Sequence, residues 1–323
     1  MENKLQIKIT LILILIILFC AFTSLYFFHE WSKSFLMSYQ IEEKFYSQDF
    51  ASSKNIILLG SSQIGTLNMD YINQQVSDFD KEYKIYNLSI SSDSPSSRIH
   101  HIDKITLMNP EIIVYGLGYR DFNSYSSIES LELSTVLPEP KKIFENTLKE
   151  IFGNTFDTFK ISRLITFNVV EQILRNPDPK FEIDNFRPFF EPTEKEFDVM
   201  DKTEIELSLT KFPYPVPKIG NPNTNDELTA FKKIIETLQQ NNIKVIIFST
   251  PNSQVLLNSY TNSTKENFNA ILEDLSNEYN IEVYQLQDKY SNIDIWSDFQ
   301  HVSASSSGKI YSDEIISIIL GYI

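Results

Sequence analysis

The chain of 323 residues contains a single cysteine, Cys20. That excludes a disulfide framework and a cysteine-based zinc site. Four histidines, His29, His100, His101 and His301, leave little material for a His-rich metal cluster. Glycine is scarce, at 8, so collagen-like and Gly-rich low-complexity readings fail. Positive charge is outweighed: 28 Lys and Arg face 43 Asp and Glu, a formal net charge of −15. Phosphate binding needs a basic footprint, so nucleic acid is not an expected partner. Aromatic residues are plentiful, with 24 Phe and 16 Tyr. They supply far more buriable surface than a disordered chain carries.

Long uncharged runs are also rare, and only Ile9 to Phe28 reaches membrane-spanning length. At about 1.5 Å per residue, some 20 residues cover the ~30 Å of a bilayer core. Lys4 and Lys8 precede the run and hold the N-terminus in the cytoplasm by the positive-inside tendency. A cleaved signal peptide is the competing reading, but its apolar core is shorter and ends in small residues. This run ends Leu25-Tyr26-Phe27-Phe28, an aromatic rim suited to the interface. The expected organisation is a cytoplasmic tip (1–8), a single-pass anchor (9–28), a connector (29–53) and an extracytoplasmic domain (54–323) at the cell membrane.

Beyond the connector, short apolar runs recur. They are Asn55–Gly60, Lys84–Ile90, Glu111–Gly116, Lys244–Ser249 and Ile281–Tyr284. Continuous apolar runs of this length read as strands buried on both faces. Helical patterns lie between and after them, at about Met69–Phe79, Ser96–Met108, Asp226–Asn241, Thr264–Tyr279 and Ser303–Leu320. The alternation predicts a parallel sheet with helices on both faces, a three-layer α/β/α domain. From about Asn123 to Pro222 the alternation stops. Lys141–Gly153 and Phe156–Arg175 look helical, and 177–222 is rich in Pro and aromatics. This stretch reads as an inserted cap, with Phe186, Phe189, Phe190, Phe212 and Tyr214 either packing a subdomain or lining a groove.

Ligands in such sheets bind outside the carboxyl ends of the strands. Gly60-Ser61-Ser62-Gln63 follows the first strand. Taken alone, these serines read first as a helix cap. Trp296-Ser-Asp298-Phe-Gln-His301 precedes the last helix. A carboxylate three residues before a histidine is able to turn back onto one ring nitrogen. The other ring nitrogen is then free to take a serine proton. Asn87-Leu-Ser-Ile-Ser-Ser-Asp-Ser94 follows the second strand, and Gly116-Leu-Gly-Tyr-Arg-Asp121 ends the third.

Together these blocks resemble the SGNH/GDSL hydrolase family, over most of Asn55–Leu320 outside the cap. The resemblance implies a flavodoxin-like SGNH fold with Ser62 as nucleophile, His301 as base and Asp298 as its orienting carboxylate. Ser61 stands in place of the family's usual Asp. Ser92 stands where the family has its oxyanion Gly, and Arg120 where it has its oxyanion Asn. The implied oxyanion donors are therefore the Ser62 and Ser92 N–H groups with Arg120, and Tyr119 is a weaker candidate. Arg120 has a structural alternative, pairing with Asp121 or Asp93. No metal or organic cofactor is implied. The implied activity is that of a serine esterase or O-acyltransferase, with an acylated cell-surface carbohydrate as the substrate suggested by anchored relatives. Two other readings stay open: a catalytically silent polymer-binding or assembly domain, and a lipid-directed esterase.

Overall fold

The computed structural model describes residues 45–123, 194–211 and 216–323, together with Phe19. The chain divides into two compact units, Met1–Phe45 with Ser134–Phe181 and Tyr46–Leu133 with Glu182–Ile323. Only Phe19 and Phe45 of the first are described. The fold that follows is that of the second.

Five strands form one parallel sheet: β1 (Lys54–Leu59), β2 (Tyr83–Asn87), β3 (Ile112–Leu117), β4 (Lys244–Ser249) and β5 (Val283–Tyr284). Their order is β2-β1-β3-β4-β5, the doubly wound arrangement of flavodoxin-like domains. The chain leaves β1 toward one edge and returns through β3 toward the other. The ends of β1 and β3 therefore flank the switch point, where crossovers diverge and leave a crevice.

The pleat sends alternate side chains to opposite faces. Ile56, Leu58, Ile112, Val114, Ile246 and Phe248 meet one helical layer made of α2 (Met69–Phe79) and α10 (Lys309–Leu320). The other face carries Tyr115, whose ring meets Phe231 edge-on at 4.9 Å. Phe231 belongs to α7 (Asp226–Gln240), which packs with α3 (Pro95–Arg98), α4 (Ile102–Leu107) and α9 (Asn262–Tyr279). Both faces are covered, as the unbroken apolar strands require.

The helix starts are legible as caps. The side chains of Asn68, Ser94, Asn225 and Thr261 each accept a hydrogen bond from a backbone N–H in the first turn of the following helix. Several elements differ in their bounds from the sequence expectation; the last strand, for example, is Val283–Tyr284 where Ile281–Tyr284 is expected. The helix expected over Ser96–Met108 is interrupted by a 3-10 turn at Ile99–His101, where weaker helix formers fall. The strand β2 ends at Asn87, not Ile90; the Asn87 side chain accepts from Ser89 N and donates to Ile64 O, while Leu88 N and Ile90 N still donate to Leu58 O and Gly60 O. The last helix begins at Lys309, after a 3-10 turn at Ser306–Gly308.

Two helices occupy the described part of the stretch read as a cap, α5 (Glu194–Phe197) and α6 (Lys202–Lys211). The second opens on a capping box. Asp201 Oδ1 accepts from Glu204 N, and Glu204 Oε2 accepts from Asp201 N. The expected helices at 141–153 and 156–175 lie outside the described residues, as do Phe186, Phe189, Phe190, Phe212 and Tyr214. So does the expected anchor at 9–28, apart from Phe19. Among the described residues, no helix is long and apolar enough to cross a membrane.

Candidate active site

The turn after β1 is built by glycine. Gly60 has φ +139°, and a Cβ there would stand 2.5 Å from the Gly116 carbonyl oxygen. At Gly116 itself a Cβ would stand 2.2 Å from Ile64 and 2.7 Å from Phe248. The backbone of β1 thus approaches β3 closely enough to tuck the short helix α1 (Ser62–Gly65) against the sheet end. Ser62 opens that helix and presents its hydroxyl at the switch point.

The opposite wall comes from the other end of the chain. Trp296 and Val302 form an antiparallel bridge, and Ser297 N donates to His301 O at 2.9 Å. This closes a tight loop in which Asp298 faces back toward His301. Asp298 Oδ1 accepts from the backbone N–H of Gln300 at 2.6 Å and of His301 at 2.7 Å. Its Oδ2 lies 2.7 Å from His301 Nδ1. The remaining ring nitrogen, His301 Nε2, lies 2.8 Å from Ser62 Oγ. Ser62, His301 and Asp298 therefore form one hydrogen-bonded line.

The electrostatics follow from this line. Burial alone would lower the His301 pKa. The hydrogen bond and charge of Asp298 outweigh it, and the net shift is upward from 6.5. Burial alone would raise the Asp298 pKa. The hydrogen bond and charge of His301, with the two backbone donors, hold it below the usual carboxylate value. Asp298 is thus an anion that orients a readily protonated imidazole.

The other expected residues have more varied placements. Ser92 is exposed and sits at φ 58°, the left-handed conformation that favours glycine. Its loop is held beside the Ser62 turn by Ile90 N donating to Gly60 O at 3.0 Å. Arg120 is exposed in the turn after β3, and its positive charge acts on His301. The suggested pairing of Arg120 with Asp93 does not form. Asp93 is held by Arg98 at 2.7 Å, and both side chains are almost fully buried. Arg98 also donates to Leu88 O, so this pair shapes the loop under Ser92. Asp121 instead accepts from Gly118 N at 2.7 Å. Its carboxyl is fully enclosed, and burial pushes its pKa up to about 8. Tyr119 is buried, stacked on Phe268 at 4.2 Å and tilted against Tyr260 at 4.7 Å, so its ring belongs to the core.

The return of the long insertion also reaches the base loop. Ala304 N donates to Glu196 O, Ser303 Oγ to Phe197 O and Met200 N to Trp296 O. The charge of Glu196 adds to the upward shift of His301. No sequence signal marked Glu196, since only the tertiary fold brings 194–200 against 296–304. Among the described residues, no group of His, Cys, Asp and Glu side chains has a metal-holding arrangement.

No protein-family model and no curated protein matches the sequence. Solved structures with a similar course of chain do exist. One is an acetyl xylan esterase, AlAXEase, with 10% identity and a TM-score of 0.42 over 82% of this chain and 99% of that one. Another is a GDSL-like lipase from Bacteroides thetaiotaomicron, with 10% identity and a TM-score of 0.37 over 84% and 89%. A third is the psychrotrophic esterase EstA from Pseudoalteromonas sp., in a structure inhibited by monoethylphosphonate, with 11% identity and a TM-score of 0.39 over 84% and 98%. At these scores the likenesses say nothing about activity.

Proposed function

We propose that this protein is an SGNH-type serine hydrolase acting on ester bonds. The observation that carries the reading is the relay from Ser62 Oγ through His301 to Asp298, with both links at hydrogen-bond length. In the proposed reaction Ser62 Oγ attacks the ester carbonyl carbon while its proton passes to His301 Nε2. Asp298 holds the Nδ1–H tautomer and stabilises the imidazolium that forms. Negative charge develops on the carbonyl oxygen as the tetrahedral intermediate forms. The Ser62 and Ser92 N–H groups and the Arg120 guanidinium are the donors assigned to it. Collapse of the intermediate breaks the ester C–O bond, and His301 returns the proton to the leaving alcohol. The acyl group now rests on Ser62. Water, or a sugar hydroxyl, attacks it with His301 again as base; the Ser62 Oγ–acyl bond then breaks, the acid or new ester leaves, and His301 returns the proton to Ser62 Oγ.

We further assign the protein to the outer face of the cell membrane, held by residues 9–28, with an acylated cell-surface carbohydrate as substrate. The uncharged run and its preceding lysines support the anchor. The test uses full-length protein in detergent with a fluorophosphonate probe. Labelling of the native protein and none of Ser62→Ala is expected. Absence of labelling in the native protein, together with no turnover of nitrophenyl esters, overturns the enzyme reading in favour of a silent polymer-binding domain. A steep preference for long acyl chains overturns the carbohydrate reading in favour of a lipid substrate.

A further inference from the structure

Gln63 follows the proposed nucleophile, and its side chain is buried. Nε2 donates to the carbonyl oxygens of Pro251 at 3.0 Å and Gln300 at 3.2 Å. Oε1 accepts from Thr250 Oγ1 at 2.7 Å. A primary amide has two N–H donors, and both are used here. The partners belong to different segments. Thr250 and Pro251 follow β4, while Gln300 lies in the base loop, next to His301. Gly118, in the turn after β3, completes the enclosure. A Cβ there would stand 2.8 Å from Gln63 Oε1 and 3.1 Å from Thr250 Oγ1. The turns after β1, β3 and β4 and the base loop thus converge on one amide.

The two links of the relay are held differently. The link from His301 to Asp298 is local, since Asp298 also grips the backbone N–H of His301 and Gln300 within the same loop. The link from Ser62 to His301 joins segments 239 residues apart. A side chain that ties the Ser62 turn to Gln300 O spans that gap directly. A misplacement of about 1 Å in such a pair costs on the order of 10²-fold in rate.

We propose that Gln63 is the positioning residue that sets the distance between Ser62 and His301, while Asp298 alone sets the orientation of the imidazole. The inference rests on the serine-hydrolase reading above. It assigns Gln63 no contact with substrate.

The test is Gln63→Met in the full-length protein, which keeps side-chain length and removes the amide. Three quantities are read: the rate of fluorophosphonate labelling, kcat and KM on a short-chain nitrophenyl ester, and the His301 titration by NMR. The labelling rate and kcat are expected to fall on the order of 10²-fold, with KM little changed. His301 is expected to keep its raised pKa, because its bond to Asp298 does not depend on Gln63. Thr250→Val, which spares the link to Gln300, is expected to cost only about 5-fold, the scale of one neutral hydrogen bond. If Gln63→Met does not fold, Gln63→Glu takes its place. It keeps the acceptor for Thr250 and offers Pro251 O and Gln300 O at most one donor, the proton of its buried carboxyl, so the rate is expected to fall in the same direction by a smaller factor. Native-like labelling of the variant overturns the proposal, and so does a His301 pKa that returns to the ordinary value along with the loss of rate. An unlabelled native protein overturns the hydrolase reading itself, whatever the Gln63 variants do.

Discussion

Ser62 and His301 are 239 residues apart in the chain, and their side chains meet at 2.8 Å. The doubly wound sheet makes that meeting possible. It delivers the end of β1 and the loop before α10 to the same crevice.

Replacement of Asp298 by Asn should leave the loop largely folded, since an amide oxygen still accepts from the Gln300 and His301 N–H groups. It removes the anion from His301 Nδ1 and favours the wrong tautomer. Turnover should fall by about 10⁴-fold, the scale of the same change in a serine-protease triad. Steady-state kinetics on a nitrophenyl ester measure this.

The pH profile should reflect His301. Only the neutral imidazole accepts the Ser62 proton. The His301 pKa is raised above 6.5, so activity should be low in acid and rise with pH through a midpoint above that value. Asp298→Asn removes the main upward influence, so any residual activity should show its acid limb at lower pH. A kcat/KM profile of the free enzyme reports the midpoint.

Arg120 should matter for rate more than for stability, because it is exposed at the mouth of the proposed site. If its guanidinium donates to the oxyanion, Arg120→Ala should lower kcat by about 10²–10³-fold with little change in melting temperature. An unchanged kcat would remove Arg120 from the oxyanion assignment and leave the two backbone donors.

Asp121 should make the fold less stable as pH rises. Its folded pKa is raised to about 8 by burial, while an exposed carboxyl in the unfolded chain titrates near 3.9. Between these values the folded state binds a proton that the unfolded state has lost. Stability therefore falls with increasing pH, by up to about 1.4 kcal/mol per unit from this group alone. Asp121→Asn keeps an acceptor for Gly118 N and should flatten that slope. Urea denaturation at pH 5 and pH 8 distinguishes the two.

Gly60→Ala should be severely destabilising. The residue sits at φ +139°, and the added methyl would meet the backbone oxygen of Gly116 at 2.5 Å. Backbone is unable to yield as a side chain does. A loss of about 3 kcal/mol or more is expected, with labelling of Ser62 lost in step. Thermal unfolding measures it.

Much of the fold was legible from local pattern. The strand Lys244–Ser249 and the helix Met69–Phe79 have the bounds read from hydrophobicity, because apolar periodicity is set by burial, and burial is what defines these elements. Asp298 and His301 were legible for a similar reason, since their spacing of three residues is local and their contact closes within one turn. Ser62 was legible as a strand-end serine, but its distance from His301 was not, because no local rule reaches across the chain. From sequence, Asp93 and Asp121 are both candidate partners of Arg120. The fold gave Asp93 the partner Arg98, five residues away, because both side chains are buried together behind the same loop. By its place at a strand end Tyr119 is a candidate donor. Packing against Tyr260 and Phe268 turned it into core. The role of Gln63 had no sequence signal at all. A glutamine after a serine is ordinary in a chain. It becomes specific only when the sheet brings Thr250, Pro251 and Gln300 within hydrogen-bond reach and burial leaves its amide no water to bond.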